Sequence, residues 1–465
     1  MRGKLKLAGF LFAGILLAAA LLLILVRPDA QDGDGRSGET SVYQVTDYSA
    51  EQVEAIEVLN AAGERYTIRL GAEGVSIDGA GPGVPLRRTL LLPVINLLLQ
   101  GVSYSEPLPA ERAGEYGMDT PRAVFTICFT GGETAVLRLG DETVKKNGVY
   151  LWPEDSGEVY VVEYAYDTLA GYGVYDYIDP VLAEIDQSGG FTISRLTLTN
   201  RTAGTELDII RKPDTDRMDP SIYSYQVTGL RVYDAADDKL NAYLFDHLAP
   251  LRAEGVYTLD TSEENLEKLG LLEPACVLSF TDDRQGEAAF RFSRLGDGTA
   301  LVMAEGVPVV YELAEADAAL LDVTLEQIVS PFLLLQNITD VERFTVFDGE
   351  KEFVFDLQSD PDSGELLVSC GGEAVDTASF RKLYSRAATI YLQGMAERPE
   401  GKEPVLRVTY GCRNGEIYVT EFIPIDGRRC FAALNGSGEF YVRLTDVEFF
   451  LEGLYACIQG EALTE

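Results

Sequence analysis

Tyr116-Gly117-Met118-Asp119-Thr120-Pro121 and, further along, Leu269-Gly270-Leu271-Leu272-Glu273-Pro274 decide how this chain is read. Both follow short acidic stretches that can form a helical turn. A glycine just past the turn closes it, a proline prevents the helix from continuing, and a strand begins. The strands after the prolines align without gaps: Ala123-Val-Phe125-Thr-Ile127 with Cys276-Val-Leu278-Ser-Phe280, and both with Leu406-Arg-Val408-Thr-Tyr410. In the third copy only Pro404 survives from the element. Gly117, Pro121, Gly270, Pro274 and Pro404 are thus structural-motif residues, and they are the only site residues the sequence singles out.

Working outward, each element sits inside a larger repeat. Upstream lie three hairpin patterns: Ile56-Glu-Val58 with Tyr66-Thr-Ile68, Leu196-Thr-Leu198 with Leu207-Asp-Ile209, and Phe344-Thr-Val346 with Phe353-Val-Phe355. Apolar residues alternate around glycine-bearing turns, of which Asp348-Gly349 gives the strongest signal. A helical run follows each hairpin: Leu90 to Gln100, Lys239 to Leu251, and Ser379 to Gln393. In the second, Leu240, Tyr243, Leu244 and Leu248 form one stripe; in the third, Phe380, Leu383, Ala387 and Ile390 do. The first run is apolar nearly all round and should be the most buried.

Downstream each copy reads as a strand meander. Val136-Leu-Arg-Leu-Gly140-Asp141 matches Phe292-Ser-Arg-Leu-Gly296-Asp297, with Ile423-Pro-Ile-Asp426-Gly427 in the same place. Each copy ends in a Tyr-bearing strand (Tyr160, Tyr311, Tyr441) and a short apolar helix. The joins Ile178-Asp-Pro180-Val-Leu182 and Val329-Ser-Pro331-Phe-Leu333 resemble each other. The expected fold is α+β: three tandem modules over 51–192, 193–339 and 340–465, the last divergent, each a β-hairpin, a helix and an antiparallel β-meander. They should abut as a rigid, elongated rod.

Ahead of the modules, Leu7 to Val26 holds no charge and is long enough to cross a bilayer core of about 30 Å as a helix. Arg2, Lys4 and Lys6 precede it; Asp29, Asp32 and Asp34 follow. The positive-inside rule places residues 1–6 in the cytoplasm and everything after Arg27 outside. A cleaved signal peptide would have a shorter apolar run and a small-x-small site. Gly9, Ala13, Gly14 and Ala18 offer small residues at helix-packing spacing. Residues 27–50 should be a stalk, with a flexible Gly/Asp/Ser-rich core from Ala30 to Thr40. The run Thr89 to Val102 is short, contains Pro93, and reads as a buried core helix, leaving one span.

The Tyr/Leu-Gly-Met/Leu-x-x-Pro element, the Leu-Gly-Asp turn and the Val-Tyr strand together resemble a bacterial family. Its members carry one N-terminal transmembrane helix and an often repeated domain of unknown function. They are found beside ABC-transporter subunits and auxiliary proteins of the gliding-motility type. The likeness is clearest over Val53 to Gly171 and Ile193 to Leu321. It implies an envelope location and partnership with a transporter, and it brings no catalytic residues.

The chemistry is sparse. Formal net charge is −37, which repels nucleic-acid phosphates and reads as a solubilising outer surface. The cysteines (128, 276, 370, 412, 430, 457) form no Cys-x-x-Cys pair, so a zinc ribbon is not supported; a bridge among the last four is open. The single histidine, His247, reads as a helix-face residue beside Asp246. One histidine excludes histidine-rich zinc sites and His-x-x-x-His proteases. Gly79-Ala-Gly81-Pro-Gly83 lacks the Gly-Lys-Ser/Thr of a phosphate loop and reads as a strand-to-helix turn. Asp360-Pro-Asp362-Ser-Gly364-Glu365 and Asp214-Thr-Asp216-Arg-Met-Asp219 are acidic turns without a full calcium ligand set. Tyr172, Tyr175 and Tyr177 read as packing.

The function expected is therefore non-enzymatic and without a cofactor. It is a single-pass, membrane-anchored extracytoplasmic scaffold or accessory protein that meets the lipid bilayer through residues 7–26 and associates with an ABC transporter. A wall-glycan or peptide binding module is the alternative.

Overall fold

Alternating apolar residues build three antiparallel sheets of one design. The computed structural model describes residues 41–72, 74–185, 192–213, 222–359 and 365–463. Over these residues the chain is mostly β-sheet with several helices. The sheets have 8, 9 and 8 strands in the same spatial order. In each, the first hairpin strand lies at the centre. Val53–Leu59 pairs with Arg65–Gly71 on one side and Ala123–Phe129 on the other. Ile193–Asn200 sits likewise between Thr205–Arg211 and Cys276–Asp282, and Val341–Phe347 between Glu352–Ser359 and Leu406–Cys412. The meander then grows outward strand by strand.

One face of each sheet carries a row of directly opposed core residues: Ile68–Ile56–Ile127, Ile209–Leu196–Phe280, and Phe355–Phe344–Tyr410. Helices cover these rows. Leu91, Val94, Ile95, Leu98 and Leu99 of Arg88–Leu99 are buried in the first core, and Phe380 packs edge-on against Phe344 in the third. Each such side chain, once fully buried, stabilises by about 1.5–3 kcal/mol.

The hairpin turns share one device. The side-chain oxygens of Asn60, Asn200 and Asp348 each accept two backbone amides of their own turn. Gly63, Gly204 and Gly349 take the positive φ that follows. The same side chains tie each turn to a helical segment that follows the meander of its module. Asn60 donates to the Tyr172 carbonyl and Asn200 to the Leu321 carbonyl, each at 2.9 Å. The Asp348 side chain has no N–H to donate, and the Tyr455 hydroxyl donates to it instead at 2.6 Å.

Several expectations need correction. The stalk does not extend to residue 50. Tyr43–Gln44 pairs with Val102–Ser103, and Val45 and Thr46 are buried because Gly101 hydrogen bonds to both. The second helix contains a π turn over Asn241–Phe245, so its extra residue rotates Tyr243 outward and puts Phe245 in the core. That helix stops before Pro250, and Leu251–Arg252 is a strand. The third helix is Thr377–Ala388; residues 393–396 run instead along the edge of the third sheet beside 439–441.

Register is the other correction. Ala123 faces Leu139, Cys276 faces Phe292, and Leu406 faces Phe422, so these partners are equivalent. Gly140-Asp141 therefore lies within the strand Thr134–Glu142, whereas Gly296-Asp297 forms a turn. At the end of the meander Tyr160 and Tyr311 correspond to Phe440, not Tyr441. A slip of one residue moves a side chain to the opposite face. Phe440 is buried and Tyr441 half-exposed.

The run Leu7 to Val26, the linker to Thr40 and the acidic loops at 214–219 and 360–364 lie outside the described residues. Among the described residues no helix is long and apolar enough to cross a membrane.

Candidate functional site

The motif glycines and prolines build the second face of each meander. The turn Ala110–Tyr116 ends at Gly117 with φ 82°, and the Met118 amide reaches back to the Ala113 carbonyl. The helix Glu263–Lys268 ends the same way, with Gly270 at φ 70° and the Leu271 amide on Leu266. Only a residue free of a Cβ takes this left-handed closure without strain. The closure aims the next side chain inward. Met118 is buried with Ala113, Tyr116 and Val159, and Leu271 with Leu266, Leu269, Leu301 and Val310. Past Pro121, Pro274 and Pro404 the chain re-enters the sheet; the Arg122 amide donates to Leu139 and the Val405 amide to Phe422. The third module has no helical segment closing on a glycine here; Gly401 turns with φ 65° three residues before Pro404, and Ala396 on the edge segment packs with Ile423 and Phe431.

The remaining candidates are placed as follows. His247 is half-buried, and its Nδ1 lies 3.4 Å from Asp317 of the helix Glu315–Ala318 rather than on Asp246. Among the described residues no cluster of three or more His, Cys, Asp or Glu could hold a metal ion. All six cysteines are free. Burial pushes the thiols of Cys276, Cys430 and Cys457 up to about 11, and those of Cys128, Cys370 and Cys412 upward as well. They stay protonated at neutral pH, which makes them poor nucleophiles. Tyr177 is fully buried against Tyr66 and Tyr172, while Tyr175 is exposed. Burial pushes Tyr66 up to about 12 and Tyr177 further still.

The joins are where modules meet through named groups. The Ala253 amide donates to Pro180 at 2.8 Å and the Leu392 amide to Pro331 at 2.7 Å, so both joins use one backbone device. The Gly79–Gly83 turn, with positive φ at all three glycines, presents Gly83 to the ring of Pro308 in the second module. In the second join Glu439 accepts the Leu230 amide at 2.8 Å, and Arg231 stacks 4.0 Å over Tyr233, whose ring meets Phe440. Burial holds the Arg231 guanidinium below its usual range. Sequence reasoning missed Glu439, Arg231 and the turn residue Asn60. An Asn or Asp opening a glycine-bearing hairpin turn was the available signal for the last.

A family model described as "Domain of unknown function (DUF4340)" matches the chain twice, over residues 98–238 and 226–404. The chain belongs to this family. The DUF4340 matches are out of phase with the sheets. The first starts in the last turn of Arg88–Leu99 and ends as the second module's helix begins. A DUF4340 unit so framed spans one join, from the meander of one sheet to the hairpin of the next. No curated protein and no solved structure matches the chain.

Proposed function

We propose that this DUF4340 chain is a non-enzymatic extracytoplasmic scaffold, held to the membrane by residues 7–26 and associated with an ABC transporter. The observation that carries it is the repeated join. Successive modules are fixed to each other by backbone hydrogen bonds at Pro180 and Pro331, as suits a part that sets distance and orientation. The apolar run at 7–26 supplies the anchor, and the family likeness supplies the transporter. The test is affinity purification after crosslinking from gently solubilised membranes. Transporter subunits should co-purify; recovery of the chain alone would sink the association.

A second reading, a wall-glycan or peptide binding module, draws on one surface. Tyr150 and Trp152 are half-exposed on the first module's second face, with Tyr150 stacked 4.7 Å from Tyr116. Aromatic faces of this kind bind sugars. Retention on wall material that disappears in Trp152→Ala would favour it over the scaffold.

A further inference from the structure

We propose that the Val144-Lys145-Lys146 tip of the first module, together with Val42 and Tyr104, rests on the anionic bilayer surface from which the chain emerges. This rests on the anchored reading above. The first observation is a local extension. Leu139 pairs with Leu151, whereas its equivalents Phe292 and Phe422 pair with Val302 and Ala432. The first module's hairpin therefore carries two residues more than either counterpart. One is taken up by a bulge between Leu139 and Glu142, and the other lengthens the turn between the paired residues Glu142 and Val149. At its apex stands Val144, 95% exposed, followed by two exposed lysines.

The apex is built rather than slack. The Lys146 amide donates to Thr143 O, and the Thr143 hydroxyl donates to Asn147 at 2.7 Å and accepts the Asn147 amide at 3.1 Å. A lone exposed valine needs no explanation. Its place in the fold supplies one. Tyr43 pairs with Ser103, whose hydroxyl donates to Val161 O at 2.8 Å; Val162 pairs with Val149, at the foot of the extended turn. The start of the described chain and the tip are thus about three strand spacings apart, roughly 15 Å, at one end of the module. Val42 and Tyr104 are exposed at that same end. Residues 27–40 reach at most about 50 Å fully extended, so this end can meet the membrane that residues 7–26 enter.

The chemistry matches an interface. A tyrosine and two apolar residues suit the headgroup boundary, and lysines attract anionic lipid. Glu106, Glu142 and Glu163 stand at the base of the same end, and the Tyr164 hydroxyl donates to Glu142. Residues 143–148 carry no carboxylate in a chain of net charge −37.

The test uses the full-length chain in phosphatidylglycerol vesicles with brominated acyl chains. Trp152→Phe with Tyr104→Trp places the sole tryptophan at this end. Its emission should be quenched and blue-shifted, while the same background with Ile417→Trp, in the third module, should stay unquenched. Val144→Asp should abolish the quenching. Lys145→Gln and Lys146→Gln should each lower the docked-to-free ratio roughly fivefold. A chain that floats with the vesicles yet shows no quenching overturns the docking and leaves the anchor standing. A chain that does not float overturns the anchored reading, and the docking with it.

Discussion

The two joins use one backbone device and differ in everything around it. Between the second and third modules the hydrophobic core is continuous, running from Ile178 to Leu463. Tyr233 meets Phe440 with ring centroids 5.2 Å apart, and Phe332 meets Tyr391 at 5.4 Å. The first module keeps a separate core, from Val45 to Tyr177, and among the described residues only the half-buried Val84 and Leu259 touch both. Its join relies on polar contacts such as the Tyr311 hydroxyl on Asp179 O at 3.1 Å. In a repeat array stability is a sum of unit terms and neighbour terms. Here the neighbour term is set by side chains, because the backbone bond is the same at both joins.

The largest effect should come from breaking the fused join. Hydrogen exchange through a denaturant series should show the second and third modules opening together and the first opening separately. Tyr233→Ala deletes the ring between the two cores and should cost about 3–5 kcal/mol. The third module's amides should then exchange independently of the second's. One cooperative opening of the whole chain, in wild type and variant alike, would refute the comparison.

A smaller effect separates the two glycine closures. A Cβ at Gly117 would lie 2.9 Å from the Asp141 backbone nitrogen and 2.6 Å from its Cγ, whereas at Gly270 the nearest atom is the Ser293 Cβ at 3.5 Å. Both positions carry positive φ, which costs an alanine roughly 1–2 kcal/mol. Gly117→Ala adds a backbone clash and should cost about 2–4 kcal/mol in all. Thermal melts of the two variants check the order; equal losses would mean that the strand bearing Asp141 yields freely.

These glycines were legible in the sequence because their signal is local: a left-handed closure followed by a proline means one thing wherever it occurs. The hairpin strands were legible for the same reason, as alternation around a turn. Register was not. Phe440 and Tyr441 are adjacent aromatics, and only cross-strand pairing tells which one faces the core. The π turn that expels Tyr243 leaves no mark on apolar spacing. The joins were visible as similar segments around Pro180 and Pro331, but Glu439 on the Leu230 amide links residues too far apart in sequence for any pattern to reveal. The second-face role of Met118 and Leu271 stayed hidden because a glycine stop is read as an end, not as a device that aims the next residue.

The smallest effect concerns the first hairpin turn of the third module, which is tied by an acid. Asn60 and Asn200 tie their turns with neutral amides, and the third module uses Asp348 with Tyr455. The hydrogen bond to Asp348 raises the Tyr455 phenol to about 12. Burial works against ionised Asp348, but the Tyr455 hydroxyl and the amides of Lys351 and Glu350 outweigh it and hold the carboxyl below its usual range. A phenol raised in the folded state contributes stability that is fully present below its unfolded value near 10 and lost as pH rises through about 12. A depressed carboxyl contributes above its unfolded value near 4 and loses that contribution as pH falls through its folded one. Tyr455→Phe should therefore cost the third module about 1 kcal/mol or less at neutral pH, since the pair is largely exposed. The deficit should shrink as pH rises from 10 to 12, where wild type acquires a phenolate facing a carboxylate. Asn200→Ala removes a neutral tie and should show a deficit flat over that window. Urea unfolding of both variants between pH 7 and 12 checks the contrast. A Tyr455→Phe deficit that holds constant to pH 12 would mean that the hydroxyl is not bonded to Asp348 in solution.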